Sequence, residues 1–577
     1  MNMKRSSCEH LLHLLYAHQQ QHRFISDEAI NDIASELSLA RAQVESVVEF
    51  YSFFSRTPRG RFDILFSNCT SCGDRSLMEK LCALIHVEQG VMRDDGLVSI
   101  GETSCIGMCD HGASALINGR SMTGMDEHRI NAMAELVESG KVLIEWPDEW
   151  FEVNDHIRCT GLLLSESFES GSALKVVASE GVEPVLEKIK HSELRGRGGA
   201  GFSTAQKWKF CREAAGDAHY VICNADEGEP GTFKDRVLLT SYADSIFEGM
   251  TLCGRVIGAK QGFIYLRGEY RYLLERLEGR LEARRKAGLL GNRILGVEGF
   301  DFDIGIVMGA GAYICGEESA LIESLEQKPG HPRIRPPFPV THGYLGQPTV
   351  VNNVETLAAA AMIAAHEDHW FSGVGTEQSH GTKLLSVSGD CARPGIYEYP
   401  FGITVQQVLD DAGAERAQAV QVGGPAGRLV HPAHFDHQIA FEDVATGGSF
   451  MIYDHSRDIL EVIHNFSNFF AHESCGFCTP CRVGTTLLKN GMDKVCSGHA
   501  TAHDLDEMKR TALIVSRRSH CGLGVTAPNA IVDGLKHFPE LFEARLLHKE
   551  MEPEFDLDAS LAEARELSNR DDAEAHL

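Results

Sequence analysis

Three cysteines lie close together in the segment ESCGFCTPCR, at Cys475, Cys478 and Cys481, and a fourth, Cys521, follows in SHCGLG. A cubane iron–sulfur cluster takes one thiolate for each of its four irons, so three closely spaced cysteines and one remote cysteine suit it. A zinc site more often uses two separated C-x-x-C pairs, and cysteines also cluster by chance in a core. The spacing therefore favours a [4Fe–4S] cluster, which moves one electron at a time and needs an electron donor.

Glycine-rich and amide-rich segments upstream of these cysteines offer a site for a phosphate-bearing cofactor. The loop LRGRGGAGF starts at Leu194 and is followed by Lys207 and Trp208. Glycines let backbone amides approach a phosphate closely, and a nearby lysine or arginine adds positive charge. The loop lacks the preceding strand and the later ribose-binding acid of a dinucleotide fold. Alone, it therefore does not distinguish a nucleotide site from an ordinary turn.

Further segments of the same region carry polar groups at predicted strand ends and turns. The segment NADEGEPGTFKDR, which begins at Asn224, places carboxylates and an amide at the end of a predicted strand. GAGAYICGEE begins at Gly309, VNNVET begins at Val351, and PPFP from Pro336 offers a rigid aromatic surface. Paired asparagines supply donors and acceptors for a heterocycle edge or a phosphate. Each segment alone also fits a solvated turn, but their combination in one domain favours a nucleotide-type cofactor.

The elements that must position these groups follow from apolar periodicity. Residues 1–55 are predicted to be helical, with Ser26 capping the segment DEAINDIASEL. FDILF, GLVSIGETSC and SALING are predicted strands of a small α/β unit, and HYVICNAD, GFIYLRG and FDIGIVMG are strand candidates between helical stretches. Residues 383–454 are predicted to form a small mixed domain. A helical region from about 459 to 542 carries the cysteine triplet.

Composition narrows the class of protein further. Hydrophobic residues make up 43% of the 577-residue chain and charged residues 24%, as in a globular protein of several domains. The net charge of −28 argues against nucleic acid and anionic membrane surfaces as partners. No signal peptide or transmembrane run is evident, and 17 cysteines without a secretion signal favour reduced thiols and metal ligands. We therefore expect a cytoplasmic protein.

In this order, LRGRGGAGF, NADEGEPGTFKDR, YLRGEY, GAGAYICGEE, VNNVET and ESCGFCTPCR…HCGLG resemble the flavin-bearing NADH-oxidising subunit of respiratory complex I, over about residues 175–540. The resemblance implies that NAD(H) stacks on FMN, which exchanges hydride with it and single electrons with a cluster. The implied FMN-binding residues are Gly196, Arg197, Gly198, Lys207, Asn224, Asp226, Gly316, Glu317, Asn352 and Asn353. The implied contacts of the nicotinamide nucleotide are Phe202, Phe210, Glu227, Glu229, Glu318 and Phe338. The implied [4Fe–4S] ligands are Cys475, Cys478, Cys481 and Cys521.

The N-terminal region resembles the thioredoxin-like [2Fe–2S] subunit that accompanies this flavoprotein, here fused to it, through VEFYSFF, PRGRFDILFSNC and TSCIGMCDHGASALING. Cys105 and Cys109 fit the second ligand pair of that family. The family's first pair has four intervening residues, which corresponds to Ser67 and Cys72, whereas this chain offers Cys69 and Cys72. Two cysteines in a C-x-x-C pair can chelate one iron, so the predicted ligands are Cys69, Cys72, Cys105 and Cys109. A domain that has lost its cluster is the alternative.

Three families of multisubunit enzymes share this module. In length and layout the chain most resembles the large diaphorase subunit of cytoplasmic NAD-reducing [NiFe] hydrogenases. The alternatives are the β-subunit of soluble NAD-dependent formate dehydrogenases and a fused NADH dehydrogenase module of complex I. A free-standing diaphorase and an iron–sulfur scaffold with a degenerate flavin site form a different class. The sequence holds no nickel or molybdenum site, so the implied partners are a small diaphorase iron–sulfur subunit and the hydrogenase subunits.

The predicted fold is a multidomain α/β protein with FMN, NAD(H), [4Fe–4S] and [2Fe–2S] as its cofactors. No catalytic side chain is predicted, because the hydride passes between cofactors. The predicted divisions are a helical plus thioredoxin-like [2Fe–2S] domain at 1–145, a linker at 146–174, an FMN- and NAD(H)-binding α/β domain at 175–380, a ubiquitin-like domain at 381–456, a helical [4Fe–4S] domain at 457–545 and an acidic tail at 546–577.

Overall fold

The computed structural model describes residues 11–164, 168–547 and 557–571. Three helices open the described chain and are followed by a small α/β unit. The predicted cap at Ser26 is confirmed, since its Oγ accepts a hydrogen bond of 3.1 Å from the backbone N–H of Ala29. The elements of this part are α1 Leu11–His22, α2 Asp27–Leu37, α3 Arg41–Phe50, β1 Phe62–Ser67, α4 Arg75–Leu84, β2 Val98–Thr103, β3 Ala115–Ile117, β4 Arg120–Met122 and α5 Glu127–Glu138.

Strands β1 to β4 form one sheet in the order β2-β1-β3-β4, in which β1 pairs parallel with β2 and antiparallel with β3. Apolar side chains alternate along β1, so Phe62, Ile64 and Phe66 are buried against α4 and α5. The two segments that carry the cysteines of this unit follow β1 and β2, which are neighbouring parallel strands. The carboxyl ends of the two strands therefore bring both cysteine segments to one edge of the sheet.

The central region is an α/β layer around a four-stranded parallel sheet. Its elements are α6 Ser172–Glu180, α7 Val182–His191, α8 Thr204–Glu213, β6 Tyr220–Ala225, α9 Lys234–Ser241, α10 Ala243–Ile257, β7 Gln261–Leu266, α11 Leu274–Lys286, β8 Asp303–Met308, α12 Glu318–Leu325, α13 Pro339–His342, β9 Thr349–Asn353 and α14 Val354–Ala365. The strand order β8-β7-β6-β9 means that the chain first adds strands on one side of β6 and then returns to its other side. In such open sheets a ligand binds where the strand order reverses, at the carboxyl ends of the strands. Here that point lies between β6 and β9.

The third sheet has six strands. The elements of this region are β5 Ile157–Cys159, β10 Thr382–Gly389, β11 Gly395–Pro400, α15 Val405–Ala412, β12 Ala417–Val422, β13 Arg428–Val430 and β14 Ser449–Asp454. The strand order is β13-β12-β14-β10-β11-β5. The edge strand β5 belongs to the segment 146–174, which is predicted from the sequence to be a linker. It pairs parallel with β11, so part of this segment is built into the sheet.

The C-terminal helices are α16 Ile459–Glu473, α17 Thr479–Cys496, α18 Ala502–Arg518, α19 Gly522–Thr526, α20 Asn529–His537, α21 Pro539–Glu543 and α22 Leu557–Ser568. The predicted helical region 459–542 is confirmed. Of the predicted acidic tail, residues 548–556 and 572–577 lie outside the described residues. Among the described helices, none combines the length and the apolar composition that crossing a membrane requires.

Candidate cofactor sites

The asparagines of two predicted segments lie side by side in the parallel sheet. Asn224 lies near the end of β6 and pairs in register with Asn353 of β9, while Cys223 pairs with Asn352. The segment after Gly309 follows β8, which is separated from β6 by β7, and it reaches β6 where the Nδ2 of Asn224 donates to the carbonyl of Gly316 at 2.8 Å. All three polar segments therefore meet at the carboxyl edge of the sheet, where its strand order reverses. The structure thus brings together groups that lie about 40 to 130 residues apart in the sequence.

Asp226 supplies an unused acceptor at this edge. Its Oδ2 is buried and has no hydrogen-bond partner among the described residues. Burial raises the pKa of its carboxyl to about 8. A Cβ added at Gly316 would lie 3.9 Å from this oxygen, so the glycine leaves the carboxyl accessible from its side. A buried oxygen without a partner next to a glycine suits a ligand with hydroxyl groups, as FMN has.

The side chains of Asn224 and Asn352 hold the two strand ends to their surroundings. The Nδ2 of Asn224 donates to the carbonyl of Gly316 at 2.8 Å, and the Nε1 of Trp208 donates to the Oδ1 of Asn352 at 2.9 Å. Gly316 ends a short 3₁₀ turn that starts at Tyr313. These bonds fix the position of the turn and of α8 relative to the sheet edge.

Asn353 belongs to a buried network of charges that no sequence pattern indicates. Its Oδ1 caps α14 by accepting from the N–H of Glu355 at 3.0 Å, and its Nδ2 donates to Asp235 at 2.6 Å. Lys234 lies 3.1 Å from the carboxylate of Glu355, which Lys383 of β10 also contacts. Burial lowers the pKa of Lys383 to about 7. The network joins the two sheets directly behind the asparagine pair.

The glycine-rich loop closes on itself before α8. The backbone N–H of Gly196 donates to the carbonyl of Phe202 at 2.8 Å, and the hydroxyl of Ser203 caps α8. The Arg197 side chain is buried, and its guanidinium donates to the carbonyl of His380 at 2.9 Å. Its charge is therefore directed into the protein, and the loop offers backbone groups around Gly198 to a ligand.

The residues that the resemblance assigns to the nicotinamide nucleotide fall into two groups. The rings of Phe202, Phe210 and Phe338 are about half exposed, at 48%, 49% and 51%. Exposed aromatic rings supply surfaces on which a planar ligand can stack. The carboxylates of Glu227 and Glu229, in contrast, form hydrogen bonds within the protein.

Partners of the acidic residues are supplied by the chain itself. Glu227 accepts from the N–H of Asp235 at 2.7 Å and from the hydroxyl of Tyr270 at 2.8 Å. Glu229 accepts from the hydroxyl of Tyr313 at 2.5 Å. Burial raises the pKa of each of these two glutamic acids to about 7.

Two further acidic residues lie at the start of α12, Glu317, which the resemblance assigns to FMN, and Glu318, which it assigns to the nicotinamide nucleotide. Glu317 caps the helix by accepting from the N–H groups of Ser319 and Ala320 at 3.0 Å. Glu318 pairs with Lys207 at 2.9 Å. Lys207 also donates to the carbonyl of Val351 at 3.0 Å, which ties α8 to β9 beside the asparagine pair.

The four predicted ligands of the [4Fe–4S] cluster line one cavity. Cys478 and Cys481 lie at the start of α17, and Cys521 precedes α19. The cavity is lined by Ile314, Pro332, Ser474, Cys475, Phe477, Cys478, Cys481, His520, Cys521 and Leu523. Four thiols beside apolar side chains form a lining that suits an iron–sulfur cluster.

The spacing of these thiols also bears on the zinc alternative. Sets of three or more ligand atoms within 4.8 Å of one another occur among the described residues, but none includes Cys475, Cys478, Cys481 or Cys521. A single tetrahedral ion needs its ligand atoms within about 4 Å of one another, given zinc–sulfur bonds of about 2.3 Å. The wider spacing favours a cluster with several irons.

The N-terminal cysteines converge at a second buried point. The Sγ of Cys109 lies 3.6 Å from that of Cys69 and 3.2 Å from that of Cys105, and the Sγ of Cys72 belongs to the same group. Hydrogen bonds from Cys105, Cys109 and Cys72 lower the pKa of the Cys69 thiol well below its ordinary value. Four sulfur donors, one of them readily deprotonated, fit an iron–sulfur centre. Ser67, at the position of the family's first ligand, is buried with an unpartnered hydroxyl among the described residues.

Glu473 connects the surroundings of all three sites. Its Oε1 accepts from the hydroxyl of Ser104, the neighbour of Cys105, at 3.1 Å. Its Oε2 accepts from the backbone N–H of Tyr313, in the segment that follows β8, at 3.1 Å. Glu473 itself ends α16, two residues before Cys475. One carboxylate therefore contacts the loops of the N-terminal cysteine site and of the sheet edge from a position beside the cysteine triplet, and no signal in the sequence pointed to it.

The fold and these sites define an oxidoreductase subunit with a flavin site and two iron–sulfur centres. Family models match this division: a thioredoxin-like [2Fe–2S] ferredoxin over residues 1–138, the Nuo51 FMN-binding domain over 189–362 and the NADH-ubiquinone oxidoreductase-F iron–sulfur binding region over 461–545. The predicted cofactors FMN, [4Fe–4S] and [2Fe–2S] are confirmed by these matches, and NAD(H) as substrate fits the family.

Relatives define the family more narrowly. The chain is 41% identical to the NAD-reducing hydrogenase HoxS subunit alpha of Cupriavidus necator, over 96% of each chain. It is 38% identical to an NADH-quinone oxidoreductase subunit of Rhizobium meliloti, over 67% of this chain and 95% of that one. A crystal structure of NAD+-reducing [NiFe]-hydrogenase in the H2-reduced state superimposes with a TM-score of 0.89 and 42% identity, over 99% of this chain and 98% of that one. The chain belongs to the family of the alpha subunits of NAD-reducing hydrogenases, and the predicted fold class and resemblance are confirmed.

Proposed function

We propose that this chain passes electrons between NAD(H) and partner subunits of an NAD-reducing hydrogenase, through FMN and its two iron–sulfur clusters. The observation that carries the proposal is the position of Glu473, whose carboxylate contacts the loops of the flavin edge and of the N-terminal cysteine site, two residues before the cysteine triplet. FMN, when bound, exchanges a hydride with the nicotinamide and single electrons with a cluster. The chain's own residues hold the loops of the three sites together, because Glu473 bonds two of these loops from beside the third.

Roles of individual residues are part of this proposal. We assign FMN to the edge formed by Asn224, Asp226, Gly316, Asn352 and Asn353, with backbone groups of Gly196, Arg197 and Gly198 and the side chains of Lys207 and Glu317 nearby. Stacking of the nicotinamide nucleotide is assigned to Phe202, Phe210 and Phe338, with Glu318 beside them. Glu227 and Glu229 support this pocket from behind, since their carboxylates bond within the protein.

Cluster ligands are proposed in the same way. Cys475, Cys478, Cys481 and Cys521 are assigned to the [4Fe–4S] cluster, because they line one cavity. Cys69, Cys72, Cys105 and Cys109 are assigned to the [2Fe–2S] cluster, because their sulfurs converge. The domain boundaries predicted from the sequence are proposed with one change, which is that residues 157–159 belong to the six-stranded sheet.

Partner subunits and cellular compartment are also proposals. Relatives are subunits of multisubunit hydrogenases and NADH-quinone oxidoreductases by name. We propose a small diaphorase iron–sulfur subunit and the hydrogenase subunits as partners. The cytoplasm is supported by the described cysteines, none of which forms a disulfide, as expected in a reducing compartment.

The test is metal analysis of the complex that co-purifies with the chain, combined with its activity. We expect nickel in the complex, bound flavin and iron in the chain, and dye reduction that depends on NADH. Molybdenum or tungsten instead of nickel would show that the chain belongs to a formate dehydrogenase complex. A chain without flavin and without dye reduction would be an iron–sulfur scaffold.

A further inference from the structure

A mixed set of ligand atoms lies where the first turn of α16 meets the last turn of α17. Glu461 and His464 are one turn apart on α16, and Cys496 is the last residue of α17. One carboxylate oxygen, one imidazole nitrogen and the cysteine sulfur all lie within 4.8 Å of one another. Oxygen, nitrogen and sulfur donors in this combination are the ligands of zinc and similar divalent ions. None of the three residues belongs to the cofactor sites above.

The imidazole of His464 is oriented for such a role. Its Nε2 lies 2.7 Å from the Oδ1 of Asp493, and its Nδ1 lies 3.6 Å from the Oε2 of Glu461. Asp493 is one turn before Cys496 on α17, and its Oδ2 accepts from Lys489 at 2.7 Å. In the tautomer that carries its proton on Nε2 and donates it to Asp493, His464 has a lone pair on Nδ1, on the side of Glu461. A carboxylate that holds the far nitrogen of a ligating histidine is the usual outer partner of a metal site.

Cys496 has no strong partner among the described residues. The acceptor that its Sγ contacts is the carbonyl of Leu460, at 3.8 Å. Burial raises the pKa of the thiol to about 12, so without a cation it keeps its proton. A divalent ion binds the thiolate and displaces that proton.

The site has an open side. Glu461 and His464 line a cleft of about 510 Å³, whose other wall includes Asn68 and Cys69 of the N-terminal cysteine loop. The cleft provides an entry path and room for a water as fourth ligand. Across it, the Nδ2 of Asn465 donates to the carbonyl of Asn68 at 3.1 Å.

We propose that Glu461, His464 and Cys496 bind one divalent ion of the zinc class, with Asp493 positioning His464. The ion ties the start of α16 to the end of α17. Since Asn465 of the same helical turn holds the loop that carries Cys69, the ion also steadies the contact between the helical region and the [2Fe–2S] loop.

The first experiment measures zinc, iron and flavin in the purified holoprotein after dialysis against zinc and then against zinc-free buffer. We expect about one zinc per chain, as one set of ligands binds one ion. Cys496→Ser and His464→Ala should lose it with iron and flavin unchanged, which reports a folded chain. Cys82→Ser is the matched control, because Cys82 is a half-buried cysteine outside any such set and should leave zinc unchanged. Asp493→Asn should weaken zinc binding by about 10- to 100-fold.

A second measurement does not depend on variants. Alkylation of Cys496, followed by peptide mass spectrometry, should slow when zinc is added, while alkylation of Cys82 should not. Equal zinc contents in wild type and Cys496→Ser overturn the proposal, and so does alkylation of Cys496 that zinc leaves unchanged.

Discussion

The hydroxyl of Tyr270 donates a hydrogen bond of 2.8 Å to the Oε2 of Glu227, and both groups are buried. The same hydroxyl packs against Gly107, between Cys105 and Cys109, where an added Cβ would lie 2.2 Å from it. Arg267 strengthens this junction by donating to the carbonyl of Cys105 at 2.8 Å. The loop of the [2Fe–2S] site is therefore fitted directly onto the segment that follows β6.

Removing this hydroxyl should destabilise the protein. In Tyr270→Phe the buried carboxylate of Glu227 loses a donor, which costs about 1–3 kcal/mol. The midpoint of thermal unfolding should fall accordingly. Tyr272→Phe is the matched control, because the buried hydroxyl of Tyr272 has no hydrogen-bond partner among the described residues. Equal losses in the two variants would contradict the role given to the Tyr270 hydroxyl.

Gly107 should tolerate alanine less well than Gly112. Both glycines have left-handed backbone, with φ of +75° and +78°, so alanine costs about 1–2 kcal/mol at either position. Only Gly107→Ala also collides with Tyr270, because the space around Gly112 is open. We expect loss of the [2Fe–2S] EPR signal and of iron in Gly107→Ala but not in Gly112→Ala. Similar iron contents in the two variants would show that the junction can shift.

The stability of the chain should depend on pH through its buried carboxyl groups. The pKa of Asp226 is about 8 in the folded chain and 3.8 as its ordinary value. Between these values the folded chain keeps a proton that the unfolded chain releases, so the free energy of unfolding falls as the pH rises and levels off above pH 8. Thermal midpoints of Asp226→Asn, measured from pH 5 to 9, should therefore fall less steeply than those of wild type.

Glu229→Gln provides the comparison in the same series. The folded pKa of Glu229 is about 7 and its ordinary value is 4.5, so its contribution is lost by about pH 7. This variant should flatten the profile below pH 7 and leave the slope between pH 7 and 8, where Asp226 still titrates. Parallel profiles for wild type and both variants would contradict the assignment.

Cys69 should be a cluster ligand, and Ser67 should not be. Cys69→Ser removes a sulfur that lies 3.6 Å from Cys109, so the EPR signal of the reduced [2Fe–2S] centre should disappear and two irons should be lost. Ser67→Ala changes a buried hydroxyl without a partner among the described residues and should keep the signal. A signal that survives in Cys69→Ser but vanishes in Ser67→Ala would instead assign the ligand to Ser67, the position of the family's first ligand.

Much of the architecture was predictable because it depends on local pattern. The cap at Ser26, the strand that contains Ile64 and the strands that precede Asp226 and Gly309 all appear where periodicity places them. The cysteine triplet was also evident, since its ligands are adjacent in sequence. The strand order that brings Asn224 beside Asn353 could be predicted neither from the apolar periodicity nor from the cysteine spacing.

Other features rest on contacts between distant segments, which periodicity does not record. Lys383 of β10 pairs with Glu355 in the first turn of α14, and Glu473 joins distant loops. The sequence also could not show that the side chains of Glu227 and Arg197 bond within the protein, because the same residue types serve as ligand contacts or as buried supports. Strand β5 is three residues long, too short to give an alternating pattern.

Strand β5 also constrains the order in which the chain can mature on the ribosome. Its Arg158 bonds the carbonyl of Pro394, 236 residues later. At a synthesis rate of about 5–20 residues per second, β5 is made roughly 10–50 s before its partner strand β11. The N-terminal unit therefore emerges, and can receive its iron and sulfide, well before β11 exists to anchor the segment that follows it. Synthesis of the chain thus leaves an interval in which cluster insertion can precede the final docking of this unit.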